Sequence, residues 1–316
     1  VIKHIYIYSP SSAVRDKSAF RRGVARLKAL GHDVEVDEAA LSSHMRFAGD
    51  DATRIAAIHR AAASGADVAM IARGGYGLTR ILAGINYKAV AKAVEKGTKF
   101  VGLSDFTALQ CVLLAKTGAV SWAGPAVGED FGAEAGPDDI MEACFDDLIS
   151  GQGEGAGWQL PKSDVAVLAE KSRSKSGEVS LSIGEATLWG GNLAVLSSLV
   201  GTPWLPAVSG GVLFLEDVHE HPYRIERMLT QLLHSGVLAR QKAIVLGQFT
   251  NYKLVPHDKG YKLQTVVAWL RSQLKIPVLT NLPFGHVATK VLLPVGAQVT
   301  LAVDERDAFL LWGHRH

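Results

Sequence analysis

What most limits the fold of this chain is a rhythm in its first half. Short continuous apolar runs each end in a turn rich in Gly, Ser or Pro, and each is followed by a stretch with helical spacing. HIYIYSP ends in a Ser-Pro loop and leads to DKSAFRRGVARLKALG, which stops at Gly31. ADVAMIA runs into RGGYG, and KFVGL runs into DFTALQCVLLAKTG. Apolar runs of this length, without alternation, read as strands buried on both faces of a parallel sheet. The β-α-β-α order predicts an α/β fold with an open, mostly parallel sheet covered by helices. Ligands in such sheets bind beyond the carboxyl ends of the strands. That rule gathers three loops at one edge: Ser9-Pro10-Ser11, Arg73-Gly74-Gly75, and Gly102 to Asp105.

After about residue 150 the composition shifts. The stretch 151–180 is rich in Gly, Ser and Lys with weak periodicity and reads as a linker with a mobile or hairpin portion. Beyond it, GGVLFLED and KAIVLGQF read as strands, HPYRIERMLTQLLHSG and GYKLQTVVAWLRSQL as amphipathic helices, and the C-terminal run as short strands with turns. The expected organisation is an N-terminal α/β domain over 1–150, a linker over 151–180, and a β-rich domain with inserted helices over 181–316.

Composition narrows the function. Of 316 residues, 33 are Lys or Arg and 31 are Asp or Glu, interspersed, for a net charge of +2. Without a basic run, neither nucleic acid nor an anionic membrane surface is an expected partner. No apolar run reaches the roughly 18 residues of a spanning helix. The two cysteines, Cys111 and Cys144, are too few for a disulfide framework and lack metal spacing. This usage suits a reducing compartment, so a cytoplasmic protein is expected.

Four fragments carry possible chemistry. In GLSD, Ser104 follows a buried strand and opens a helix, and Gly102 leaves room for a sharp turn. Ser104 reads either as a nucleophile beside helix N–H groups able to stabilise an oxyanion, or as an ordinary helix cap. ARGGYG could bind phosphate, supply an oxyanion N–H, or be a tight turn; it lacks the spacing and Lys of a phosphate loop. In the second half, LFLEDVHEH carries an apolar strand into Glu216 and Asp217, and NLPFGHVATK places His286 after a turn. His219-Glu220-His221 has no matched third metal ligand. Cys111, mid-helix, is a weak candidate for a glutaminase-like nucleophile.

Taken together and in order, YSPSS, ARGGYGLTRIL, GLSDFTALQ, GPAVGEDFG, LWGGNLAVLSSLVGTPWLP, LFLEDVHEHPYRIERMLTQLLHSG, IVLGQF and LPFGHVATKVLLPVGA resemble the LD-carboxypeptidase family. That serine peptidase family includes the cytoplasmic murein tetrapeptide carboxypeptidases, which the pattern resembles more, and the microcin C self-immunity peptidases. The resemblance implies an N-terminal α/β sandwich and a C-terminal β-rich domain. It implies a triad of Ser104, Glu216 and His286, with oxyanion donors at the backbone N–H groups of Asp105 and Gly75. It implies release of terminal D-alanine from a murein tetrapeptide, without metal or organic cofactor, by a homodimer. Arg73, Ser11, Trp189, Asn192 and Arg224 are candidates for lining the substrate site. Alternatives are cleavage of a microcin-type aminoacyl nucleotide, or muropeptide binding without turnover.

Overall fold

The computed structural model describes residues 2–172 and 179–313. The first half alternates as expected. Strand β1 (His4–Tyr8) leads to α1 (Lys17–Ala29), β2 (Asp33–Val36) to α2 (Asp51–Ala63), and β3 (Val68–Ile71) through α3 (Leu78–Ile81) to α4 (Tyr87–Glu95). Then come β4 (Lys99–Gly102), α5 (Thr107–Thr117), β5 (Ser121–Ala123) and α6 (Asp139–Ser150). Acidic or amide caps start the helices: Asp16 accepts the Ala19 N–H, Asp50 that of Thr53, and Asn86 that of Ala89. Each cap satisfies a donor that the helix itself leaves unpaired.

The five strands β1 to β5 pair in parallel in the order β5-β4-β3-β1-β2. Strands β4, β3 and β1 are neighbours running the same way, so the loops after them share one edge. Those loops are also bonded together: Tyr76 N–H donates to Ser12 Oγ at 3.0 Å and Leu78 N–H to Asp105 Oδ2 at 2.8 Å.

The second sheet begins earlier than expected. Gly155–Gln159 forms β6 and Lys162–Ser172 forms α7, in the stretch read as a linker. In β6 only Ala156 and Trp158 are buried, alternating with exposed Gly155, Gly157 and Gln159. A glycine-interrupted edge strand of this kind gives little periodic signal. Residues 173–178 of the expected linker lie outside the described residues.

From there the chain builds β7 (Ser180–Asn192), α8 (Leu193–Ser198), β8 (Val212–Val218), α9 (Pro222–His234), β9 (Ala243–Thr250), α10 (Leu263–Gln273) and β10 (Val278–Leu279). Strands β7 to β10 are parallel neighbours, so α9 and α10 are crossovers rather than insertions. The chain then crosses back. Strand β11 (Leu293–Val295) joins the first sheet antiparallel to β5, with Leu293 opposite Ala123. Strands β12 (Gln298–Asp304) and β13 (Asp307–Leu311) return to the second sheet, whose order is β10-β9-β8-β7-β12-β13-β6. A strand from the expected C-terminal domain therefore completes the N-terminal sheet.

Helix α5 lies between the two layers. Every residue from Thr107 to Leu113 is buried, against β7 and α8 as well as its own sheet. The fold is thus α/β in its first layer and mixed, with helical crossovers, in its second. Among the described residues no helix is long and apolar enough to cross a membrane.

Candidate active site

Ser104 sits between β4 and α5 with φ of 64°, in the left-handed region that L-residues with a side chain rarely adopt. A strained strand-to-helix turn of this kind lifts a side chain out of the backbone and leaves helix N–H groups beside it. The turn is crowded. A Cβ on Gly74 would stand 2.7 Å from Ser104 Cβ and 3.0 Å from its Oγ. The next residue of that loop, Gly75, has φ of 105°. Asp105 is buried, and its carboxylate, by accepting the Leu78 N–H, pins the glycine loop to the serine turn. Among the described residues neither the Gly75 nor the Asp105 backbone N–H has a protein acceptor. Two such donors beside a serine can stabilise an oxyanion.

The second layer brings an acid and a base to the same place. Glu216, fully buried near the end of β8, accepts a hydrogen bond from His286 Nδ1 at 2.7 Å. That bond selects the tautomer with its lone pair on Nε2. Burial works against the imidazolium, but the hydrogen bond and charge of Glu216 outweigh it. Lys290 opposes and Asp217 assists, and the net result holds His286 above its ordinary 6.5. The turn before His286 is set by Phe284, edge-on to Phe214, and by Gly285 at φ of 141°. A Cβ on Gly285 would lie 3.2 Å from Glu216 Cβ.

The other oxygen of Glu216 is held as well. Asn192 stands opposite Glu216 in the β7–β8 register, and its Nδ2 donates to Glu216 Oε1 at 3.1 Å and to Asp217 Oδ1 at 3.0 Å. Its Oδ1 accepts the Val195 N–H, and its backbone N–H donates to Thr107 Oγ1 at 3.0 Å. One residue therefore links the carboxylate to the helix that follows Ser104. Asp217 accepts the Ala194 and Val218 N–H groups; burial, with the neighbouring Glu216 charge, pushes its carboxyl up to about 6.

Ser104 and His286 line one cavity of about 590 Å³ with Arg73, Gly74, Gly75, Glu129, Asp130, His219, Asn251 and Lys290. Of the residues expected around the substrate, Arg73 is on this wall, donating to Ala13 O at 3.2 Å and facing Glu129 at 3.6 Å. The other four are elsewhere. Trp189 is buried in the core and its Nε1 donates to Gln241 Oε1 at 2.9 Å. Arg224 is on the surface of α9, paired with Glu220. Ser11 is fully buried beneath the loops, and Asn192 lies behind Glu216. Cys111 is in the core of α5, where burial pushes its thiol up to about 12, far from a thiolate nucleophile.

Glu129, Asp130, His219, Asn251 and Lys290 are cavity residues that motif reading did not single out for the site. The one local signal for Lys290 is its place four residues after His286 in LPFGHVATK. Among the described residues no group of three or more His, Cys, Asp or Glu could hold a metal ion. His219 and His221 are separately engaged, with Asn251 O and Asp258 Oδ2, each at 3.1 Å.

Comparison with known proteins shows the family. Residues 5–124 match the family model of the LD-carboxypeptidase N-terminal domain, and residues 185–301 that of its C-terminal domain. The chain is 30% identical over 288 residues to the probable murein peptide carboxypeptidase of Bacillus subtilis (strain 168), covering 90% of this chain and 84% of that protein. It is 26% identical over 248 residues to the microcin C7 self-immunity protein MccF of Escherichia coli, covering 74% and 70%. The crystal structure of muramoyltetrapeptide carboxypeptidase from Oxalobacter formigenes superposes with a TM-score of 0.83 at 39% identity, covering 98% of each chain. The two family models between them span both layers of the fold and every residue of the serine turn and the Glu216–His286 pair, and the chain belongs to the LD-carboxypeptidase family of serine peptidases.

Proposed function

We propose that the chain is a serine LD-carboxypeptidase that releases the terminal D-alanine of murein tetrapeptide stems, in peptidoglycan recycling. The observation that carries this reading is that His286, bonded to the buried Glu216 at 2.7 Å, lines the same cavity as the strained Ser104. In this reading His286 Nε2 takes the hydroxyl proton as Ser104 Oγ attacks the carbonyl carbon of the L,D bond. Glu216 keeps the ring in that tautomer and stabilises the imidazolium. The Gly75 and Asp105 N–H groups hold the oxyanion. His286 then gives its proton to the departing D-alanine amine, and water repeats the steps on the acyl-enzyme. Arg73, a cation on the cavity wall, holds the terminal carboxylate.

The lining of the cavity favours a peptide over a nucleotide. Among the described residues it contains no Trp, Tyr or Phe on which a purine could stack. Trp204, one possible platform, instead packs against Tyr87 and Lys116. A cytoplasmic homodimer belongs to the same proposal, and light scattering in solution tests the dimer.

The deciding experiment incubates the protein and Ser104→Ala with a purified murein tetrapeptide and follows loss of one D-alanine by mass. The wild type is expected to release it, and Ser104→Ala to fall by about a millionfold in kcat. Release by both proteins would remove Ser104 from its role. Release by neither, with turnover of a peptidyl-adenylate, would replace the substrate.

A further inference from the structure

The loop that carries His286 is also where the chain passes from one sheet to the other. It leaves β10 at Leu279 in the second sheet and enters β11 at Leu293 in the first. Just after His286 it is tied twice to the first layer. Thr289 Oγ1 donates to Asp138 Oδ2 at 2.7 Å, and Lys290 Nζ pairs with Asp130. Both acids are themselves fixed. Asp138 caps α6 by accepting the Ile140 and Met141 N–H groups, and Asp130 accepts the Ala126 N–H at 2.8 Å. The turn that carries Asp130 is packed on α1.

Lys290 is 2% exposed and Asp130 7%. Stability alone accounts poorly for this pair, because apolar residues of similar volume commonly serve a buried position as well or better. A buried ion pair is directional, and this one joins the histidine loop to the layer that carries Ser104.

We propose that the Lys290–Asp130 pair is a positioning device that holds the His286 loop in register with Ser104. The inference rests on the triad reading above. Lys290 is a positioning residue here, acting through the imidazole four residues before it.

The test removes both charges together. Asp130→Asn with Lys290→Met keeps volume and keeps an acceptor for the Ala126 N–H. The expected result is a folded protein with kcat on tetrapeptide lowered about a hundredfold, as for a displacement near 1 Å, and KM little changed. Labelling of Ser104 by a fluorophosphonate should slow by the same factor. Lys290→Arg, which retains the tie to Asp130, should recover most of the loss. Should the double change fail to fold, Asp130→Glu, which keeps the charge but moves it by one methylene, takes its place, with a fall in kcat and labelling expected and wild-type values overturning the proposal. Wild-type kcat and labelling in the folded double variant would overturn the proposal, as would a rise in KM with kcat unchanged. A wild type that is not labelled, or a Ser104→Ala that is, would sink the triad reading instead. The two failures are therefore distinguishable.

Discussion

Ser104 and His286 face one cavity, with Glu216 buried behind the imidazole, but the serine and the acid–base pair are held in place differently. Ser104 is presented by backbone: a left-handed turn, two glycines across from it, and a buried helix behind. Glu216 and His286 are presented by side chains: the carboxylate is fully buried, bonded on one oxygen to the imidazole and on the other to Asn192. The serine side should therefore be intolerant of added volume at its glycines. The acid–base side should tolerate isosteric change in shape but not loss of charge.

The largest effect that separates the two sides is expected from Glu216→Gln. The amide keeps the size of the side chain, and thermal unfolding should shift little. It can present an N–H to the imidazole, so the ring no longer keeps its lone pair on Nε2. The corresponding change in a related triad lowers kcat by about 10⁴. Steady-state kinetics with tetrapeptide check this, and a loss below about tenfold would show that the carboxylate does not set the tautomer.

The mirror-image change is Gly74→Ala. Nothing is charged there, yet the new Cβ would lie 2.7 Å from Ser104 Cβ, far inside van der Waals contact. The turn must give, and kcat should fall by about a hundredfold, the size expected for a misplaced nucleophile. The downfield proton resonance of the His286–Glu216 bond should be unmoved. A shift of that resonance in Gly74→Ala would mean that the two sides are mechanically one unit, and the contrast drawn above would fail.

The same division explains what could be read from the sequence. The first layer was legible because each of its elements is local: a buried run, a turn, a helix. Ser104 announced itself by following KFVGL and opening a helix, and Glu216 by ending an apolar run. What was hidden depends on register between segments far apart in the chain. Nothing local says that Asn192 stands opposite Glu216, or that Lys290 reaches Asp130, 160 positions away. Strand β7 opens by alternating Ser180 and Ser182 with Leu181 and Ile183, but a register shift at Gly184 and Glu185 breaks the period before Ala186 and Leu188, so the strand does not read as one run. Trp189, three residues before Asn192, looked like a binding residue beside glycines, but strand alternation and its bond to Gln241 turn it into the core. The crossing of β11 into the first sheet could not be read from three residues, LPV, with no crossover pattern of their own.

The smallest and most graded effect concerns pH, and it tests the acid–base side without changing its shape. His286 acts as a base only when neutral. Burial alone would lower its pKa below the ordinary 6.5; the Glu216 hydrogen bond and charge more than reverse this, Lys290 pulls it down again, and Asp217 adds to the rise. The net upward direction places the acid limb of kcat/KM above 6.5. As pH falls through that value the imidazolium accumulates, and the rate should drop by about tenfold per pH unit. In Glu216→Gln the residual activity should show this limb moved to lower pH, because the hydrogen bond to the carboxylate and its charge are gone while burial and Lys290 remain, opposed only by the smaller contribution of Asp217. In Gly74→Ala the limb should stay where it is in the wild type, since the serine side does not touch the titration. A limb that moves in Gly74→Ala and not in Glu216→Gln would assign the titration to a group other than His286, with Asp217, already near 6, the next carboxyl to examine.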